Sequence, residues 1–218
     1  MYTKTCLSFF KAKDPIQPLG HLYIISGPSG VGKTTIIENL LAKDNKIEKI
    51  VAFTTRPMRV GEISDKTYHY ISREAFEEKM EHGDFLEYLE FSNHFYGFGL
   101  TKEEVLTKLR NGIDLIVDMD YSQVSDLKSK IPNCYSIFIV PPSLESLTTR
   151  LKSRGDSEET ISKRMGYAKD IIEHQHVSDT IILNHDGKVE EAVAEIFGII
   201  KSNRVNAPSN FVQSPLFH

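Results

Sequence analysis

The sequence predicts an α/β fold, a parallel sheet flanked by helices. Three observations carry that expectation. Strand-like and helix-like segments alternate over most of the 218 residues. Four strand segments are apolar on consecutive residues, Leu22–Ile25, Leu115–Val117, Ile137–Val140 and Thr180–Leu183, as strands covered on both faces require. The first of them runs straight into a glycine-rich turn followed by a helical pattern.

The elements follow in order. Residues 1–19 carry two prolines and no clear period, and read as a flexible leader. A strand is expected at 21–26 and a helix from Thr34 to Ala42, then strands at 49–53 and 68–71. Residues 53–100 break the alternation: they are polar, aromatic and arginine-bearing, with short strand-like pieces and one helix near 73–82. An insertion of that kind between core elements often carries substrate contacts. Thr101-Lys102-Glu103-Glu104 is a capping box that starts a helix, and Gly112 stops it. Strands are expected at 114–119, 135–140 and 179–184. Val189, Ala192, Val193, Ile196, Phe197 and Ile200 recur at helical spacing and give the last helix one apolar face. Residues 205–218 are rich in turn formers and read as a flexible tail.

Gly27-Pro28-Ser29-Gly30-Val31-Gly32-Lys33-Thr34 fits G-x-x-x-x-G-K-[ST], the loop that wraps the phosphates of ATP or GTP. Phosphate oxygens need many donors in a small space, and glycines let backbone N–H groups turn inward. Lys33 would reach the β- and γ-phosphates, and the Thr34 hydroxyl would hold Mg²⁺. The phosphates would then sit at a helix N-terminus, where the dipole favours anions. Alternating elements with this loop after the first strand make the fold one of the P-loop type.

Bulk properties narrow the function. A net charge of −4 and a pI near 6.1 argue against a nucleic-acid binder. No apolar run approaches the ~18 residues of a membrane helix. The patch Cys6-Leu7-Ser8-Phe9-Phe10 is too short for the apolar core of a signal peptide. Two separated cysteines, Cys6 and Cys134, suggest no disulfide framework. The expectation is a cytoplasmic protein with no membrane or nucleic-acid partner; an oligomer is possible but not readable.

Four further groups of residues invite chemistry, and each has a plainer alternative. Arg56 and Arg59 would converge on one dianion in a two-pronged grip, with Tyr68 and Tyr96 adding hydroxyl donors; otherwise they sit on a solvated loop. Glu87 presents two acceptors that match the N1–H and N2–H₂ edge of guanine and repel adenine N1, or it is a surface glutamate. Asp118 and Asp120 end an apolar strand, where carboxylates face a ligand crevice. Asp118 would support the metal shell and Asp120 the acceptor nucleotide; otherwise both are ordinary strand-end aspartates. Arg150 and Arg154 share a helix face and, with Arg164, would close over a moving phosphoryl group, or they form a solvated basic face. His174 and His176 are two apart, which suits a surface better than a metal site.

Taken together these residues resemble guanylate kinase over roughly residues 20–204. The loop Ser26–Thr34 is similar to the family's. Thr54-Thr55-Arg56 with Arg59, Gly61 and Glu62 is similar to its TTR-x-x-R-x-GE signature. Tyr68, Phe85-Leu86-Glu87 and Phe95-Tyr96-Gly97 match its monophosphate site. Pro141-Pro142-Ser143 leads into a lid-like segment with Arg150, Arg154 and Lys163-Arg164-Met165, and Asn184 looks like the asparagine near the ATP base. The resemblance implies transfer of the γ-phosphoryl group of ATP to GMP, with Mg²⁺, giving ADP and GDP. It implies a core (20–52, 101–142 and 166–204), a GMP-binding lobe (53–100) and a helical lid (143–165). It also implies that Arg56, Arg59, Tyr68 and Tyr96 hold the GMP phosphate, that Glu87 and Asp120 read guanine, and that Lys33 with the lid arginines serves catalysis.

The chain departs from the family pattern at named positions. Ala52 stands where the family usually has a serine that contacts the base. The stretch Phe98-Gly99-Leu100-Thr101 is two residues longer than usual, and no hydroxyl residue directly follows Gly97; Thr101 is one candidate to replace it. Ser122-Gln123 replaces Gln-Gly after Asp120, and the lid after Gly155 is one residue short. Three rival readings remain at this stage: a kinase for AMP, dTMP or CMP, a non-catalytic module of the same fold, and a regulatory nucleotide hydrolase. The last would normally carry an Asn-Lys-x-Asp motif, which Asn45-Lys46-Ile47-Glu48 matches only superficially.

Overall fold

Strand β1 (Leu22–Ser26) is fully buried along its whole length and organises the fold. In the computed structural model, which describes residues 20–59, 61–91, 93–131 and 133–206, β1 is followed by α1 (Lys33–Lys43), β2 (Ile47–Lys49), β3 (Phe53–Thr54) and β4 (His69–Tyr70). Next come α2 (Arg73–Glu81), β5 (Tyr88–Phe91), β6 (His94–Gly97), α3 (Lys102–Arg110), β7 (Asp114–Asp118) and α4 (Val124–Lys130). The chain continues through β8 (Cys134–Val140), α5 (Leu144–Ser153), α6 (Glu158–Glu173), β9 (Thr180–Leu183) and α7 (Val189–Asn206). The leader expected at 1–19 and the tail beyond 206 lie outside the described residues.

The main sheet has the order β2-β7-β1-β8-β9, and every pair in it is parallel. Side chains of β1 alternate between two cores, as the strand period of two requires. Tyr23 and Ile25 face a core completed by Ile36, Ile37 and Leu40 of α1 and Ala192, Val193, Ile196 and Ile200 of α7. Leu22 and Ile24 face a second core with Val105 and Leu109 of α3 and Val124 and Leu127 of α4. With helices on both sides, continuous apolarity in the central strands is explained. At the edge strand β9 that explanation does not hold. Ile182 is buried, but Ile181 and Leu183 are 44% and 40% exposed, so β9 is covered on one face only.

The strand expected at 49–53 is split between two sheets. Ile47–Lys49 pairs with β7 in the main sheet, and the Ile50 N–H still donates to Ile116 O at 2.8 Å. Phe53 and Thr54 belong instead to a second sheet of order β4-β3-β6-β5. Here β3 runs antiparallel to β6, β6 antiparallel to β5, and β3 parallel to β4. Phe76 of α2 packs on this sheet, stacked on Phe85 at 4.5 Å and on Phe95 at 5.1 Å. The inserted region therefore has its own small aromatic core.

Helix starts follow the sequence signals. Ser72, Ser143 and Ser157 cap α2, α5 and α6, and Thr101 forms the expected capping box with Glu104. The far end of α7 is tied down by Arg204, whose Nε donates to Asp114 Oδ2 at 2.5 Å and whose Nη1 donates to Asp44 Oδ2 at 2.6 Å. Asp114 is fully buried at the start of β7, so Arg204 supplies its counter-charge.

Candidate active site

The phosphate loop lies at the carboxyl end of β1, in the centre of the sheet, where the strand order reverses. Gly27 has φ 135° and Gly32 φ 105°, conformations that side-chain-bearing residues rarely adopt. A Cβ on Gly27 would lie 2.4 Å from Ile139 O, and one on Gly32 would lie 2.5 Å from Asn184 Nδ2. Helix α1 begins at Lys33 with no side-chain cap and no acidic residue in its first turn. Its first N–H groups are thus left for an anion. The Lys33 ammonium curls back to Gly27 O at 2.8 Å and stands 3.7 Å from Asp118 Oδ1. Thr34 is exposed in the first turn of α1.

Asn184 is buried beneath this loop. Its Nδ2 donates to Val31 O at 2.8 Å, and its Oδ1 is buried without a hydrogen-bond partner. Of Arg150, Arg154 and Arg164, two also engage the loop. Arg150 Nη1 donates to Val31 O at 2.9 Å and its Nη2 to Asn184 O at 2.7 Å, while its Nε and Nη2 hold Asp186. Arg164 Nη1 donates to Ser29 Oγ at 2.8 Å. Asp156 bridges Arg164 to Arg154, the residue that caps the end of α5. Asp156 and Asp186 were not singled out in the sequence, where nothing local marks them as arginine partners.

One cleft joins the phosphate loop to the inserted region. Gly27, Lys33 and Asp118 line it together with Tyr68, Tyr96 and Asp120. Burial, aided by the Asp118 charge, raises the Tyr68 pKa and keeps its hydroxyl protonated as a donor. Arg56, Arg59, Thr34, Glu87, Arg150, Arg154 and Arg164 are not among the residues lining the cleft. Arg56 is buried and stands over the Tyr68 ring at 5.0 Å. Its guanidinium meets Glu62 in a two-pronged pair, and Nη1 also reaches Pro57 O at 2.9 Å. Burial opposes the charge on Arg56, but Glu62 outweighs it and raises the pKa further. Burial likewise opposes the Glu62 charge. The Arg56 bond, the Arg59 N–H and the Tyr70 hydroxyl win, and its pKa falls to about 2. Arg59 is exposed in the same loop.

Ala52, Leu89, Phe91, Phe98 and Met119 give the cleft apolar walls, and Gln123 adds a polar one. Phe98 is only 2% exposed and fills the position after Gly97 where a hydroxyl was expected. Thr101 does not replace that hydroxyl, because its side chain is spent on the α3 capping box with Glu104. Asp120 accepts from Ser122 N at 2.9 Å and Ser122 Oγ at 2.7 Å. Glu87 is largely buried and paired with Lys130, a partner 43 positions away.

Comparisons with known proteins identify the family. The guanylate kinase family profile matches residues 20–203. The guanylate kinase of Haemophilus influenzae is 40% identical over 190 residues, covering 85% of this chain and 89% of that protein. That of Hydrogenovibrio crunogenus is 38% identical over 186 residues with the same coverage. The crystal structure of guanylate kinase from Anaplasma phagocytophilum superposes with a TM-score of 0.71 at 27% identity, covering 86% of this chain and 88% of that one. A phosphate loop and a tyrosine-lined pocket share one cleft, and the matched region spans nearly all of the described residues. On both grounds the chain belongs to the guanylate kinase family.

Proposed function

We propose that the cleft shared by Lys33 and Tyr96 is where the terminal phosphoryl group of ATP passes to GMP, and that the residues around it divide the work as follows. The chain is a guanylate kinase and transfers the γ-phosphoryl group of ATP to GMP, giving ADP and GDP. The first N–H groups of α1 and the Lys33 ammonium hold the β- and γ-phosphates. Arg56, Arg59, Tyr68 and Tyr96 hold the GMP phosphate. Pro57 and Glu62 take three of the five Arg56 N–H donors, and we assign the remaining guanidinium edge to phosphate oxygen. Glu62 thereby fixes the fork in position before substrate arrives.

An oxygen of the GMP phosphate attacks the γ-phosphorus, and the bond to the ADP oxygen breaks. Little covalent work falls to the protein in such a transfer; positioning and charge stabilisation dominate. Arg150, Arg154 and Arg164 supply positive charge as the lid 143–165 and the lobe 53–100 close on the core. Arg150 and Arg164 already touch the phosphate loop at Val31 and Ser29. Asn184 acts through the loop, holding Val31 from below. Glu87 and Asp120 read the guanine edge.

The Thr34 hydroxyl and the Asp118 carboxylate are hard oxygen donors beside Lys33. They suit Mg²⁺, which takes one or two protein oxygens and fills the rest of its shell with phosphate and water. When bound, the ion offsets phosphate charge. Among the described residues no helix is long and apolar enough to cross a membrane, and a cytoplasmic setting fits the two separated cysteines.

The observation that carries the reading is one cleft lined both by Gly27 and Lys33 of the phosphate loop and by Tyr68, Tyr96 and Asp120. Steady-state kinetics with ATP and Mg²⁺ against GMP, dGMP, AMP and dTMP tests it. ADP formation should depend on GMP and be slower by orders of magnitude with AMP. Equal ADP release with and without any monophosphate would overturn it.

A further inference from the structure

Lys130 is the last residue of α4, and its ammonium clamps the segment just ahead of β5. It bonds Glu87 Oε1 and donates to Leu86 O at 3.0 Å. Glu87 is the more enclosed partner, its side chain 11% exposed against 43% for Lys130. The backbone of Glu87 is tied to the cleft wall: the Phe98 N–H donates to Glu87 O at 2.7 Å, and Phe98 and Leu89 line the cleft. Its carboxylate, however, is not a cleft wall and is held by the lysine.

Chemistry along this wall of the cleft gives that pairing weight. The walls contributed by Ala52, Leu89 and Phe98 offer a purine edge no side-chain hydrogen bond. Asp120 and the Gln123 amide also line the cleft; Asp120 is already bonded to Ser122, and Glu87 is the carboxylate read above as offering two acceptors to N1–H and N2–H₂. An ammonium on Oε1 occupies a lone pair and offsets the negative charge that distinguishes guanine from adenine. The same contact keeps an enclosed carboxylate from standing without a cation when no base is present.

We propose that Lys130 is a specificity-determining positioning residue that competes with the guanine base for Glu87, weakening GMP binding and narrowing the preference for GMP over AMP. This rests on the reading of Glu87 as a guanine contact. Lys130 acts through Glu87 and touches neither the reacting phosphates nor the phosphate loop. Its amphipathic stem can be kept while the charge is removed, so Lys130→Met separates the ion pair from packing.

The test is steady-state kinetics of the full chain and of Lys130→Met, Lys130→Arg, Glu87→Gln and the Lys130→Met/Glu87→Gln double variant, with GMP and AMP as acceptors. In Lys130→Met the KM for GMP should fall about fivefold, the scale of a half-exposed ion pair. Turnover at saturating GMP and the KM for ATP should stay within about twofold. The kcat/KM ratio of GMP over AMP should rise by the same factor. Lys130→Arg should behave as the parent, and Lys130→Met should have no effect in the Glu87→Gln background. An unchanged or raised KM for GMP in Lys130→Met, or equal losses with GMP and AMP alongside a lowered thermal midpoint, would overturn the proposal. A parent protein that uses GMP while Lys130→Met matches it sinks this inference alone. A parent protein whose ADP formation ignores GMP sinks the kinase reading as well.

Discussion

Arg56 and Glu62, six positions apart, meet fork to fork, Nη1 to Oε2 at 2.7 Å and Nη2 to Oε1 at 2.6 Å. The pair is enclosed, with side chains 6% and 17% exposed, and the Glu62 pKa is depressed to about 2 from 4.5. A depressed carboxylate pKa gives stability that is present above the unfolded value and lost as pH falls toward the folded one. Glu62→Gln should therefore be less stable than the parent by about 1–2 kcal/mol at neutral pH. The gap should hold down to about pH 5 and close between about 4.5 and 2. Urea unfolding across that range measures it; a gap constant with pH would show that the charge contributes nothing.

Gly32 bears on the phosphate loop in a different way. With φ 105° and Asn184 Nδ2 2.5 Å from the position of a Cβ, Gly32→Ala faces both backbone strain and a clash. The expected loss is about 1–3 kcal/mol of stability, with a raised KM for ATP and little change in the KM for GMP. Thermal unfolding and two-substrate kinetics check both parts.

Lys33→Ala removes the ammonium that sits over Gly27 O and beside Asp118. On the proposed reading it stabilises developing phosphoryl charge, and removing such a group commonly costs ~10²–10³ in turnover. Since Lys33 is not part of either hydrophobic core, the thermal midpoint should move by no more than a few degrees. Turnover within tenfold of the parent would remove Lys33 from the chemistry.

Glu87→Ala probes base reading directly. The kcat/KM for GMP should drop at least tenfold while that for AMP changes far less, so the preference narrows. A preference equal to that of the parent would show that the base is chosen elsewhere, with Asp120 the next residue to change.

The legible parts of this molecule were those written in short stretches of sequence. Gly27–Thr34 announces its own conformation, because each glycine answers a local steric demand, and Thr101–Glu104 announces a cap in the same way. Central strands were readable because helices cover both of their faces. Ile181 and Leu183 show the limit: apolar residues at a sheet edge look the same in sequence whether or not a helix lies over them. The run Lys49–Phe53 looked like one strand because the crossing from one sheet to the other is made by Val51 and Ala52, which carry no turn signal. The candidate site followed the same rule. Arg56, Tyr68 and Tyr96 were identifiable by type and motif. The partners that set their behaviour, Asp186 for Arg150 and Lys130 for Glu87, are 36 and 43 positions distant, and only folding brings them together.

The clasp of Arg204 on Asp114 and Asp44 fixes how far this protein can be trimmed. A version ending at Asn203 would keep almost every turn of its last helix, yet it would leave the interior Asp114 without its arginine, held only by the His21 backbone N–H with the His21 ring 4.0 Å away. A workable C-terminal boundary for crystallisation or fusion is therefore set by one guanidinium, and it falls after residue 204 even though the apolar stripe of that helix is complete at Ile200.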